Sequence, residues 1–77
     1  MSESAAAECG VEPLGEIVSY GMVAGPDNPS LNLQPANAIR AALAKTDLSV
    51  DDIALYELNE AFAAVGIASA RDLGISL

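Results

Sequence analysis

Ile53-Ala54-Leu55-Tyr56-Glu57-Leu58-Asn59-Glu60-Ala61-Phe62-Ala63-Ala64 is the stretch whose reading decides the fold. Its first half, Ile53 to Leu58, is a short apolar run and reads as a buried strand. At Asn59 the run stops and a helical pattern begins. The helix is expected from Glu60 to Leu73, with Phe62, Val65, Ser69 and Leu73 on one face and Gly74 as its stop. A side-chain amide would then stand at the carboxyl end of a strand and the mouth of a helix. In open α/β sheets, ligands sit at such junctions.

Working outward, Ser49-Val50-Asp51-Asp52 carries a hydroxyl at an N-cap position and a carboxylate three residues on, which predicts a short helical turn. Before it, a helix is expected from about Pro35, a residue suited to the first turn because its missing N–H is not needed there. Ala36, Ile39, Ala42 and Leu43 form a narrow apolar stripe on that helix. Arg40 and Lys45 lie on its other side or near its C-terminal end, where cations oppose the helix dipole. Gly25-Pro26-Asp27-Asn28-Pro29-Ser30 has the chemistry of a loop. Leu14 to Ala24 reads as a strand, with β-branched Ile17, Val18 and Val23 around Tyr20; Gly15 and Gly21 suggest a bend or a close backbone approach. Residues 3–9 read as a short helix stopped by Gly10. The order helix-strand-helix-strand-helix predicts an α/β layer with an incomplete sheet. Two strands cannot complete it, so a further strand is expected after Ile75-Ser76-Leu77 or from a partner.

Composition narrows the function classes. The chain has 77 residues, 52% of them hydrophobic and 18% charged, which is a folding rather than a disordered composition. The apolar content is Ala-rich, with Tyr20, Tyr56 and Phe62 as the aromatic residues. Net charge is −8, and Arg40, Lys45 and Arg71 are the cations. Nucleic acid and anionic membranes are therefore not expected partners, because both are held by Lys and Arg. A single cysteine and no histidine exclude an internal disulfide and metal-ligand spacing, and a lone cysteine fits a cytoplasmic location. Neither a signal-peptide pattern nor an apolar run of about 18 residues is present.

Candidate chemistry is sparse. Without histidine no Ser-His or Cys-His nucleophile pair can form, and Gly21-Met22-Val23-Ala24-Gly25 lacks the spacing of a phosphate-binding loop. Asp51-Asp52 reads as capping rather than as an acid–base pair. Cys9 lies at the negative end of its helix, which disfavours a thiolate, and reads as a small thiol without a catalytic task. Asn59 has two readings. Its amide can donate, directly or through water, to a carbonyl oxygen gaining negative charge beside a helix N-terminus; or it caps that helix, for which Asn is well suited.

Asn59-Glu60-Ala61-Phe62-Ala63 resembles a signature of the thiolases, enzymes that make or cleave 3-oxoacyl-CoA thioesters. The likeness extends in order over nearly the whole chain. Leu14-Gly15-Glu16-Ile17-Val18-Ser19-Tyr20-Gly21 resembles a thiolase strand, and Val23-Ala24-Gly25-Pro26-Asp27 the loop after it. Pro35-Ala36-Asn37-Ala38-Ile39-Arg40-Ala41-Ala42-Leu43 resembles the next helix, and Leu48-Ser49-Val50-Asp51-Asp52-Ile53 the lead-in to the second strand. The resemblance implies that Asn59 holds a water which, with a histidine from a Gly-His-Pro motif, forms an oxyanion hole for the thioester oxygen. It places Phe62 near the acyl pocket, against the alternative of plain core packing. It places Leu31 where many thiolases have a pocket-lining methionine, against that of an ordinary loop anchor.

The departures are as informative. The family's nucleophilic cysteine, the Gly-His-Pro histidine and the Cys-Gly-Gly acid–base cysteine are all missing, and Cys9 matches neither cysteine by context. The resemblance thus implies part of the C-terminal half of an acetyl-CoA acetyltransferase-like enzyme of fatty acid metabolism, spanning residues 1–77 and inactive alone. The parent would use acyl-CoA as substrate, without a separate cofactor or metal, and would be a homo-oligomer, a dimer or tetramer. The rival reading is a stand-alone, non-catalytic α/β module that binds a protein partner.

Overall fold

The computed structural model describes residues 1–76 and opens on helix α1, Glu3–Cys9. Ser2 caps it, its Oγ accepting from the Ala5 N–H at 3.2 Å. Gly10 ends it in the left-handed region, with φ 64°. The Val11 N–H then returns to the Ala6 carbonyl at 3.1 Å and closes the exposed end of the helix.

The next helical element is a 3₁₀ helix, Asn28–Leu33, where a loop was expected. Asp27 caps it, its Oδ1 accepting from the Ser30 N–H at 3.0 Å. It runs directly into helix α2, Gln34–Leu43, with Pro35 in the first turn as expected. Val50–Asp52 form the predicted single turn, a 3₁₀ helix. The Asp52 carboxylate reaches back to the Ser49 N–H at 2.8 Å and to the Ser49 hydroxyl at 2.7 Å. Helix α3, Ala63–Leu73, ends at Gly74 with φ 78°. It starts three residues later than its pattern predicts. The Asn59 carbonyl accepts from the Ala61 N–H at 3.1 Å, a tight turn that leaves Phe62 extended at the N-cap position.

The core lies where α3 packs on α2 and on the 3₁₀ helix Asn28–Leu33. Ala36, Val65, Ser69, Ala70 and Leu73 are buried there. Small side chains let the elements approach closely, as the Ala-rich composition implies. Ser69 is 0% exposed, and its hydroxyl donates to the Asn32 carbonyl at 3.0 Å, which satisfies the buried hydroxyl. At the rim, Arg40 pairs with the Asp72 carboxylate and donates from Nη2 to the Asp72 carbonyl at 2.8 Å.

The expected helix-strand-helix-strand-helix layer is corrected by the structure: among the described residues there is no strand and no sheet. Leu14–Ala24 and Ile53–Leu58 run without ladder partners. Ile17 is 90% exposed and Leu55 85%. The physical reason is that a strand's N–H and C=O groups are satisfied only by neighbours, and a sheet needs three or more strands with a covered apolar face. Two strand-like segments and one layer of short helices fall below that threshold. The further strand was expected after Ile75-Ser76-Leu77, and so lies outside the described residues.

One part of the first extended segment is nevertheless held. A Cβ at Gly21 would lie 2.2 Å from the Ala38 carbonyl oxygen and 2.6 Å from the Ala42 nitrogen, so only glycine allows the chain this close to α2. The Ser19 hydroxyl donates to the Ala42 carbonyl at 2.8 Å. Lys45 Nζ donates to the Tyr20 carbonyl at 2.8 Å and lies 4.3 Å from the centre of the Tyr20 ring. The close approach read from Gly21 is therefore present; Gly15 has open space around it.

The radius of gyration is 15.4 Å, against about 11.5 Å expected for a compact chain of this length. The accessible surface is 6115 Å², against about 4,400 Å² for a compact monomer of this mass. The difference lies with the extended segments, where apolar side chains meet solvent.

Candidate functional site

Docking of residues 19–21 on α2 helps to form a groove. It has a volume of about 760 Å³ and lies between the extended segment 21–24, the start of α2, and residues 59–65. Gly21, Met22, Leu31, Gln34, Asn59 and Val65 are among the residues that line it, and none of the lining residues is charged. It is an open, mainly apolar trough with two side-chain amides in its wall. That combination suits an uncharged, largely apolar ligand that needs a few hydrogen bonds to set its orientation.

Asn59 and Leu31 come together in this groove although 28 positions separate them in the chain. Phe62 does not line it; its side chain is largely exposed beyond the turn. The capping alternative for Asn59 is not what the structure displays, because α3 begins at Ala63 with Phe62 at the N-cap position. Among the described residues, the Asn59 side chain has no hydrogen-bond partner, and its amide is available to the groove.

The acidic pair Asp51-Asp52 lies away from this site. Hydrogen bonds from the Ser49 hydroxyl, and then from the Ser49 N–H, hold the Asp52 carboxyl below the usual carboxylate value. A carboxylate stabilised in its charged form by a cap is a poor proton shuttle, in keeping with its structural reading. Cys9 is an exposed free thiol at the last position of α1. Among the described residues, no three side chains from His, Cys, Asp and Glu gather in a metal-binding group. No helix among them is long and apolar enough to cross a membrane.

Sequence reasoning missed Gln34. Both of its bonds run to Ser30, four positions earlier: Nε2 donates to the Ser30 carbonyl at 3.1 Å and to Ser30 Oγ at 3.0 Å. The signal was a polar pair at that spacing just before Pro35, but a helix start was not visible at Ser30 because the segment read as loop.

The thiolase C-terminal domain family matches residues 11–77. A probable acetyl-CoA acetyltransferase of Mycobacterium tuberculosis is 50% identical over 76 residues, covering 99% of this chain and 19% of that protein. A 3-ketoacyl-CoA thiolase of Chromohalobacter salexigens is 45% identical over 75 residues, 97% of this chain and 19% of that protein. A cytosolic acetyl-CoA acetyltransferase of Rattus norvegicus is 41% identical over 66 residues, 86% of this chain and 16% of that protein. The chain thus spans about a fifth of the length of the curated relatives it matches. No solved structure matches it significantly.

Proposed function

This chain belongs to the thiolase family, to whose C-terminal domain residues 11–77 correspond, and from that premise we propose that it supplies one wall of an acyl-transfer site for acyl-CoA thioesters. In this reading Asn59 holds a water against the thioester carbonyl oxygen. As a cysteine sulfur attacks the carbonyl carbon, that oxygen gains negative charge, and the water's hydrogen stabilises it. Pre-placed donors of this kind act most strongly where bulk water is thinned out, as along an apolar wall. The reaction is reversible acyl transfer through a cysteine thioester, joined to Claisen condensation or thiolysis. Leu31 borders the acyl or pantetheine group, and Phe62 approaches the acyl end once the site is complete.

The nucleophile and the base that activates it come from outside these 77 residues. The chain has no histidine, and its one cysteine lies on α1, outside the groove wall. The phosphates of CoA also need cations from elsewhere, since the groove wall carries none. The isolated chain is therefore inactive. A cytoplasmic, homo-oligomeric enzyme, a dimer or tetramer, completes this reading; a relative named as cytosolic is consistent with the location.

The observation that carries the proposal is the position of Asn59, unengaged by helix capping and in one groove with Leu31. The test is a chimera in which residues 11–77 replace the matching stretch of the Mycobacterium tuberculosis relative. In it, Asn59→Ala is expected to lower kcat for thiolysis of acetoacetyl-CoA by about 10²–10³, the usual loss for one oxyanion donor. An unchanged kcat in a folded chimera would remove Asn59 from the site. Measurable thiolysis by the isolated chain would overturn the claim that its chemistry lies elsewhere.

A further inference from the structure

The orientation of the Gln34 amide is settled by its neighbours. Ser30 Oγ donates its hydrogen to the Asp27 carbonyl at 2.8 Å, so towards Gln34 it can only accept. The Ser30 carbonyl is an acceptor by nature. Gln34 must therefore present its NH₂ to Ser30, with Nε2 at 3.1 and 3.0 Å from the two acceptors. Its Oε1 consequently points away from Ser30 and accepts no hydrogen bond among the described residues. Gly25 permits this arrangement: a Cβ there would lie 2.1 Å from Ser30 Oγ and 2.5 Å from Gln34 Nε2. The Asp27–Ser30 turn in turn fixes Ser30, whose N–H donates to Asp27 Oδ1 at 3.0 Å. The result is a carboxamide locked from behind in the wall of the groove that also holds Asn59 and Leu31.

We propose that Gln34 is a specificity-determining residue, whose Oε1 accepts the hydrogen of an amide N–H in the arm of the bound thioester. The inference rests on the thioester site proposed above. Asn59 and Gln34 then divide the polar work of an otherwise apolar groove. Asn59 acts as donor towards the reacting carbonyl, and Gln34 as acceptor towards the carrier arm. A locked acceptor discriminates better than a mobile one, because little side-chain freedom is lost on binding. A thioester whose arm lacks the N–H leaves Oε1 desolvated without a partner, and loses affinity for that reason.

The test titrates the 77-residue chain with two small thioesters and follows the side-chain amide signals of Asn59 and Gln34 by NMR. One probe is S-acetyl-N-acetylcysteamine, which carries one amide N–H. The other is its ester isostere, S-acetyl-O-acetyl-2-mercaptoethanol, which carries none. The amide probe is expected to bind between about two- and about tenfold more tightly, the range for one hydrogen bond, and to shift the Gln34 side-chain carbonyl signal where the ester does not. In Gln34→Met the preference should vanish. Equal binding of the two probes, with Asn59 shifted by both, would overturn the Gln34 role and leave the thioester site standing. A preference that survives in Gln34→Met would overturn it as well. Failure of both probes to move Asn59 would remove the site and the Gln34 role together. If Gln34→Met does not fold, the Gln34 carbonyl signal of the unaltered chain decides: a shift with the amide probe alone supports the assignment, and none overturns it.

Discussion

Residues 30–43 with 63–73, and residues 14–24 with 53–58, are both apolar, yet the first set supplies most of the core and the second, although residues 19–21 touch α2, no fully buried side chain. Ala36 is 0% exposed in the packed set, while Ile17 on the extended chain is almost wholly in solvent. The difference is one of backbone accounting rather than side-chain hydrophobicity. A helix pairs its N–H and C=O groups within its own segment, so short Ala-rich helices need only dock. A strand's groups find partners only on a neighbouring strand, and the chain has too few strand-like segments to provide them. Apolar content thus marks what a segment will bury, while the range of its hydrogen bonds decides when.

The largest expected effect comes from perturbing each set in kind. Ala36→Leu overfills the contact between α2, α3 and the 3₁₀ helix, and should destabilise the chain by about 2–3 kcal/mol. Ile17→Asp, a harsher change of chemistry, should shift stability by less than about 0.5 kcal/mol, as for an exposed position. Thermal melts followed at 222 nm compare the two, and a reversed order would break the distinction. A smaller effect is expected where the sets meet. Gly21→Ala brings a Cβ onto the Ala38 carbonyl and should release residues 19–21 from α2 at a cost of about 1 kcal/mol. Gly15→Ala, with open space around it, should leave amide exchange across α2 unchanged. Equal exchange rates in the two variants would mean that the extended segment is not docked through Gly21.

The smallest effect is electrostatic. Asp52 titrates below its ordinary value of 3.8 because Ser49 holds the charged form. A carboxyl with a depressed folded value contributes stability above its unfolded value and loses it as the pH falls through the folded one. The Ser49 amide signal should therefore change with a midpoint below pH 3.8, while the α2 and α3 signals hold. A midpoint at or above 3.8 would show that the cap is not formed. The group is fully exposed, so the change should stay local to the turn.

Legibility in the sequence followed the same division. The stops at Gly10 and Gly74, Pro35 in the first turn and the Ser49–Asp52 cap were all read correctly, since each rests on chemistry within a few residues; of the bend or close approach read at both Gly15 and Gly21, the structure shows the close approach at Gly21 alone. The buried face of α3 was read through Val65, Ser69 and Leu73, whose spacing shows it, whereas Phe62 was wrongly joined to that face. The stretch before α3 misled because its apolar run and its Ala-rich continuation left no visible gap for the turn at Asn59-Glu60-Ala61. In the site, Asn59 and Leu31 were legible as residues; their sharing of one groove, and Gln34 with its locked amide, were not. The groove forms in part because Gly21 brings a distant segment onto α2.

By itself the sequence determined the family, the three α-helical segments with the glycine stops at Gly10 and Gly74, the lack of a histidine-based catalytic pair, and the residues that merit a test. These follow from residue types and short spacings, which a linear chain carries whole. Only the tertiary structure decided that Leu14–Ala24 and Ile53–Leu58 remain unpaired, that Asn59 is free of a capping role, and that Gln34 faces the same groove. Each of those depends on whether hydrogen-bond and packing partners many residues away are within reach, and proximity of that kind is a property of the folded chain rather than of its order.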